Sequence, residues 1–387
     1  MLGRFFFSIV FICSLFSVKA GKDVRIGILT NKQVSSAIFI TEMGGYDLYC
    51  DGEKVISLYH GDALRVTSVP SGLVIKTLNA EYNCSERLTL DPKHKLSSIR
   101  MSSLDHKMKE KYFNDGIEVS KRFGKLNMVN VVDIEHYIAG VVESEAGSKQ
   151  NLEYYKLQSI ICRTYALSNV RRHEGEGFYL CDQVHCQVYN SKNMNNDNIF
   201  RAVLATRGMV IVDPQIELIT ATFHSNCGGQ TVNSEDVWIK PLPYLRTVRD
   251  TFCTAEPHAV WSKELSKDKW LNYLQSNYDY PVDDHDHLSC ALNNEPVCRQ
   301  IYFGNKNYKI PLKKIRRDFG LRSTYFSVKH KGDKVVLEGR GFGHGVGVCQ
   351  EGAMHMSRIG SSYTDILHHY YTDVHLVDLS AIDFFRD

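Results

Sequence analysis

Residues 339–353 read GRGFGHGVGVCQEGA. Gly339, Gly341, Gly343, Gly345 and Gly347 alternate with Arg340, Phe342, His344 and Val346. Alternate side chains of an extended chain point to opposite faces. One face would then be bare backbone, and the other would carry a cation, an aromatic ring and an imidazole. Bare backbone lets a ligand or another strand approach closely, and glycine also adopts dihedrals closed to other residues. No glycines fall at the G-x-G-x-x-G spacing of a dinucleotide fingerprint. The plainer alternative is a glycine packing seam around a hydrogen-bonded histidine.

Working back from this run, FHSNCGGQT (223–231) reads as a strand entering a Gly-Gly turn, with His224, Ser225, Asn226 and Cys227 at its end. Polar side chains at strand ends build sites. Cys227 with a histidine would suit a nucleophile pair, and a hydrogen-bonded turn is the alternative. Farther upstream, HEGEGFYLCDQVHCQVY holds His173, Cys181, His185 and Cys186. Two Cys and two His match a tetrahedral zinc set if a loop converges them. A Cys181–Cys186 disulfide competes with that reading.

Helical pattern starts near Asp133. Ile134, Tyr137, Ile138, Val141 and Val142 form an apolar stripe, with Asp133 as cap and Gly147 as stop. A longer helix is expected from about Asn151 to Arg172, with Arg171 and Arg172 at its C-terminal end. Glu145 sits at the end of the first helix, where the negative pole of the helix dipole favours a protonated carboxyl, the form a general acid needs. Glu143 lies on another face and reads as a surface charge. Strands are expected at Met209–Val212 and Ile219–Phe223, and Ser362 with Asp365 forms a capping box. Residues 191–198 and 283–287 read as polar loops, the latter a solvated acidic one despite its metal-like Asp and His content.

From Val24 to about Met128 the chain carries short strand-like runs: VRIGIL, SAIFI, YDLYC, VISLY, LRVTSV and GLVIKTL. The N-terminus, MLGRFFFSIVFICSLFSVKA, has an early cation, an apolar stretch and Ala20 before Gly21. That is the pattern of a secretory signal peptide cleaved after Ala20; Ile12 before Cys13 argues against a lipoprotein. No later stretch is long and apolar enough to span a membrane. Of eleven cysteines, removing Cys13 leaves ten for an oxidising compartment, where Cys50–Cys84 and Cys290–Cys298 are the first pairs to test. A length of 387 residues, 43% hydrophobic, suffices for two domains, and a net charge of +2 points to no nucleic-acid partner. The expected class is α+β: a signal peptide (1–20), a β-rich N-terminal domain (21–128) and a catalytic domain (129–387) mixing helices and short strands.

Together these segments resemble the stage II sporulation protein D family and its amidase-enhancer relatives. YIAGVVESEAG resembles the family's Y-x-x-G-V-V-x-x-E block. Glu153, Lys156, Gln158, Arg163, Thr164, Tyr165 and Ala166 match its E-A-L-K-A-Q-x-x-x-x-R-T-Y-A helix. CDQVHCQVY, FHSNCGGQT, Val237-Trp238 and the glycine run follow in the family's order, so the similarity spans about Val129 to Val374. The resemblance implies a SpoIID-like catalytic domain and lytic transglycosylase activity on peptidoglycan glycan strands, with Glu145 as general acid and base. It also implies a cleft holding Arg163, Tyr165, His224, Ser225, His344 and Gln350, and in some relatives zinc in the Cys/His segment. A cell-wall amidase is an implied partner, and a non-catalytic enhancer of such an amidase is the alternative role. A Cys–His peptidase using Cys227 is another. The chain departs from the family pattern at Cys162, at Cys349 where serine is usual, and at Glu351 where an aromatic is frequent.

Overall fold

The computed structural model describes residues 23–238, 240–305 and 308–386, with side chains not described for 383–386. The expected signal peptide lies outside the described residues. The class is α+β, as the sequence implies.

Every strand-like run of the first half forms a strand. A seven-stranded sheet takes the order 180–181, 23–28, 125–133, 116–122, 87–92, 46–50, 53–58, and a six-stranded sheet the order 111–114, 98–103, 36–43, 63–69, 72–76, 81–84. Pairing is antiparallel except where Leu180–Cys181 runs parallel to Asp23–Ile28. Period-two burial sends Ala37, Phe39, Leu64, Val66, Leu48, Leu88 and Leu90 into a shared core. Cys50 and Cys84, one from each sheet, form the expected disulfide. Cys290 and Cys298 are both free. Cys290 lies on a helix beside Tyr280, whereas Cys298 is exposed, so the second expected bridge does not form.

Strand Lys125–Asp133 runs directly into α1 (Ile134–Ala146), crossing the expected domain boundary at 128. Asp133 caps α1 by accepting from the Glu135 amide, and Gly147 ends it. Helix α2 (Leu152–Ser168) follows, capped by Asn151, and α3 spans Asp197–Ala205. Helix α2 stops before Arg171 because Asn169 folds its amide back onto the Tyr165 carbonyl at 2.9 Å. One contiguous core joins both sheets to α1, α2 and the helices at 350–358 and 363–370. The capping box at Ser362 and Asp365 forms as read.

Beyond α3, Met209–Val212 pairs with His375–Asp378, while only Phe223–His224 of the expected 219–223 strand joins a ladder, parallel to Val348–Cys349. The Thr220 amide is instead taken by the Tyr244 hydroxyl at 3.0 Å. The 283–287 stretch is not a loop throughout: Asp284 caps a helix over His285–Leu292. A three-stranded sheet (260–266, 334–340, 325–331) has its own core around Trp270, Phe303, Phe319 and Leu337. In sequence this unit separates FHSNCGGQT from the glycine run.

Helices α1 and α2 are tied by a buried ion pair. Arg163 Nη2 lies 2.5 Å from Glu135 Oε2, Nε also donates to Glu135, and Nη1 and Nη2 reach the carbonyls of Met209 and Val203. Arg163→Ala strands a buried carboxylate, which costs about 3–5 kcal/mol. Denaturant unfolding should show that loss, and the double variant Arg163→Met/Glu135→Leu should recover most of it.

Candidate active site

Glu145 occupies the last turn of α1. Its Oε1 accepts one hydrogen bond, from the Val188 amide at 2.8 Å. Burial raises its pKa above the ordinary 4.5, and the Val188 bond opposes the shift. The shift is toward the protonated form, and its largest cause is desolvation. Glu145 also acts electrostatically on two buried neighbours, raising the hydroxyl of Tyr154 and the thiol of Cys162, for both of which burial is the larger cause. Tyr154 in turn donates to Gln158 at 3.2 Å and lies beside Gln350. Tyr154 thereby bridges the acid to the start of helix 350–358.

Glu143 is not a free surface charge. Its two oxygens accept from the amides of Met194 and Asn195 and from the side chains of Asn193 and Asn195. It fixes the loop that leads into α3.

The glycine run is not an extended strand beyond Arg340. Gly341, Gly343, Gly345 and Gly347 take φ of 76°, 115°, 86° and 71°. At Gly343 a Cβ would meet the His224 Cβ at 2.8 Å, so glycine is needed for conformation and for contact alike. Asn226 and Phe342 exchange backbone hydrogen bonds of 3.0 and 2.8 Å, which stitch the run to FHSNCGGQT. His224 and His344 consequently face each other with ring centroids 5.4 Å apart.

Nδ1 of His224 meets the Val346 carbonyl at 3.2 Å. A carbonyl only accepts, so Nδ1 carries the proton, and Nε2 is a buried acceptor with no partner among the described residues. In His344, Nδ1 accepts from the Val346 amide at 3.1 Å. Burial lowers both imidazoles, His224 well below 6.5 and His344 to about 4, with Arg299 adding to each. Both rings are neutral near pH 7. Gln350 is buried, and its Nε2 also lacks a partner among the described residues. A cavity of about 330 Å³ opens beside His344, lined in part by Trp238, Arg299, Lys313 and Arg316. Trp238, 38% exposed, lies 5.3 Å from His344.

Two residues assigned to the cleft by resemblance do not reach it. Arg163 is fully buried and paired with Glu135, so it presents no accessible surface to a ligand. Tyr165 bonds the His185 carbonyl at 3.2 Å and Arg172 at 2.9 Å, which puts it beside the Cys/His segment. Ser225 Oγ meets His258 Nδ1 at 3.5 Å, but that same nitrogen lies 2.5 Å from Glu351 Oε1. One ring nitrogen cannot serve both partners, so no Ser-His-Glu relay exists. Glu351, the departure from the family pattern, is a buried acceptor for Asn226 and the His258 amide. Cys227 does not pair with a histidine: its thiol is buried, pushed up by its contact with Cys253, and it faces Asp250 and Cys253.

His173, Cys181, His185 and Cys186 do converge, with one donor atom from each within 4.8 Å of the others. His185 Nε2 lies 3.3 Å from both Cys181 Sγ and His173 Nε2, and Cys186 Sγ lies 3.4 Å from His173 Nε2. Both thiols are free, so the competing disulfide is not formed.

The family model for SpoIID, stage II sporulation protein, matches residues 122–212, which contain α1, α2 and the Cys/His segment. The chain is 30% identical over 265 residues to an uncharacterized protein of Brachyspira hyodysenteriae, covering 66% of this chain and 70% of the relative. It is 29% identical over 272 residues to stage II sporulation protein D of Bacillus amyloliquefaciens, covering 66% and 77%. It is 28% identical over 287 residues to the amidase enhancer of Bacillus subtilis, covering 60% of this chain and 39% of that protein.

Glu143→Ala should release the 193–195 loop, because four donors lose one acceptor group. Amide exchange at Met194 and Asn195 should accelerate about tenfold or more, while amides inside α2 keep their protection.

Proposed function

The chain belongs to the stage II sporulation protein D family, and on that premise we propose an exported lytic transglycosylase acting on peptidoglycan glycan strands. One observation carries the reading: a half-buried carboxyl, Glu145, that accepts one hydrogen bond and has its pKa raised by desolvation. Cleaving a sugar–sugar bond needs a proton on the leaving oxygen and support for an oxocarbenium-like state. Glu145 donates that proton, then accepts one from the C6 hydroxyl of the muramic residue. That hydroxyl closes a 1,6-anhydro ring, so one carboxyl serves both steps and no second carboxylate is needed. The neutral His224 and His344, the unpaired amide of Gln350 and the exposed face of Trp238 suit an uncharged polar sugar. Arg316 and Lys313 in the neighbouring cavity suit its carboxylates.

The four Cys/His donors fit a zinc ion: two thiolates and two imidazoles, with separations close to the ~3.5 Å edges of a zinc tetrahedron. Bound there, zinc would cross-link the 173–186 loop. Tyr165 and Arg172 would hold that loop against α2.

Incubation with peptidoglycan should release fragments ending in 1,6-anhydro-muramic acid, read by mass spectrometry. Glu145→Gln keeps the shape and the Val188 bond but removes the proton, so release should fall ~10²–10⁴-fold with folding intact. Binding of glycan with no cleavage by the unaltered protein would replace this reading with that of an amidase enhancer, the name one relative carries.

The acid must be protonated in the free enzyme, so kcat/KM should be full below the Glu145 pKa and fall as pH rises through it. Because that pKa is raised, the inflection should lie above 4.5. A profile flat from pH 4 to 9 would remove Glu145 as the acid. Zinc should be lost from the triple variant His173→Ala/Cys181→Ser/Cys186→Ser by one equivalent, measured by elemental analysis.

A further inference from the structure

A second group of metal-type donors lies behind the paired histidines, and it is independent of the transglycosylase reading. Cys227 Sγ is 3.3 Å from Asp250 Oδ2 and 3.4 Å from Cys253 Sγ, and the Cys227 amide donates to Cys349 Sγ at 3.3 Å. One donor atom from each of these four residues lies within 4.8 Å of the others, and all four residues are fully buried. Three segments supply them: the FHSNCGGQT turn, the loop after Arg249, and the cysteine that closes the glycine run.

We propose that Cys227, Asp250, Cys253 and Cys349 form a structural zinc site that locks the two motif segments together behind His224 and His344. Zinc–sulfur and zinc–oxygen bonds of ~2.3 and ~2.0 Å give tetrahedral edges of ~3.5–3.8 Å, close to the two separations above. A Cys227–Cys253 disulfide is the competing arrangement. It would join two sulfurs and leave a third thiol and a carboxylate buried together without a counter-charge, an expensive outcome. A metal engages all four.

The surroundings are those of a ligand site. Tyr370 donates its hydroxyl to Asp250 Oδ2 at 2.9 Å, the Phe252 amide binds Oδ1 at 3.0 Å, and the amides of Gly228 and Gly229 face Cys253. Hydrogen bonds from outer groups orient ligands and stabilise thiolates in this way. Asp250 has no ion-pair partner among the described residues. Nearby, Arg299 is buried with its guanidinium on the carbonyls of Cys227, Gln230 and His344, and no carboxylate among the described residues meets it. Zinc held by three thiolates and a carboxylate carries net negative charge, the counter-charge that this buried cation otherwise lacks.

The test uses the full mature chain carrying His173→Ala/Cys181→Ser/Cys186→Ser, so failure at the Cys/His segment does not affect the result. Elemental analysis should find one zinc per chain. Cobalt substituted for it should give thiolate-to-metal charge-transfer absorption, which Cys253→Ser abolishes and Cys253→His partly restores. Cys227, Cys253 and Cys349 should resist alkylation until chelator is added, a readout available in the unaltered protein should a variant fail to fold. Less than about a tenth of an equivalent of zinc, or a Cys227–Cys253 disulfide in a non-reducing peptide map of the exported protein, overturns the proposal.

Discussion

A guanidinium removed from water is costly without a charge partner and acceptors, and Arg163 has Glu135 and two backbone carbonyls. Glu135 at the first turn of α1 and Arg163 in the middle of α2 fix how the two helices cross. The carbonyls of Val203 and Met209 complete the set, so α3 and the following strand are tied to the same point. Glu145 stands three turns along α1 from Glu135. Its depth and its single bond to Val188 follow from where that crossing holds the helix. A residue that resembles a substrate contact is thus the support on which the candidate acid rests.

The glycine run supplies the other half of the site by a different means. Its positive φ values bend the backbone tightly around FHSNCGGQT, and the Asn226–Phe342 bridge fixes the register. Two histidines meet although more than a hundred residues, including a unit with its own core, separate them in sequence. The separate core lets that unit fold without disturbing the seam. Glu351 and the buried Cys349 meet the seam from behind, at two positions where the family pattern has other residue types.

What the sequence disclosed was periodic or local. The period-two runs, the caps at Asp133 and Asn151, the Ser362 capping box and the Cys50–Cys84 pair all rest on near neighbours or on strong alternation. The contents of the site were half legible: Glu145, His224 and His344 stood in recognisable clusters, as did the four Cys/His donors. Arg163 was misplaced because a conserved-looking motif does not say whether a cation faces a ligand or a buried carboxylate 28 residues away. Tyr154, Arg299, Asp250 and Cys253 were invisible for a related reason: each acquires its role from partners distant in sequence. The glycine alternation suggested a flat strand because period two is the same whether φ is negative or positive.

Burial acts on the site in two directions at once. It disfavours whichever form is charged, so it raises a carboxyl and lowers an imidazole. Glu145 is moved toward its neutral acid, and His224 and His344 toward neutral bases. Burial thus biases the Glu145 carboxyl and the two rings toward their uncharged forms, and the cations of Arg316 and Lys313 line a cavity beside His344. Under the proposed function, uncharged groups suit a neutral sugar, while the outlying cations suit the acidic parts of the polymer. Nothing in this arrangement requires a second carboxylate. For the proposed chemistry, a single group that changes protonation state against a low-dielectric background is enough.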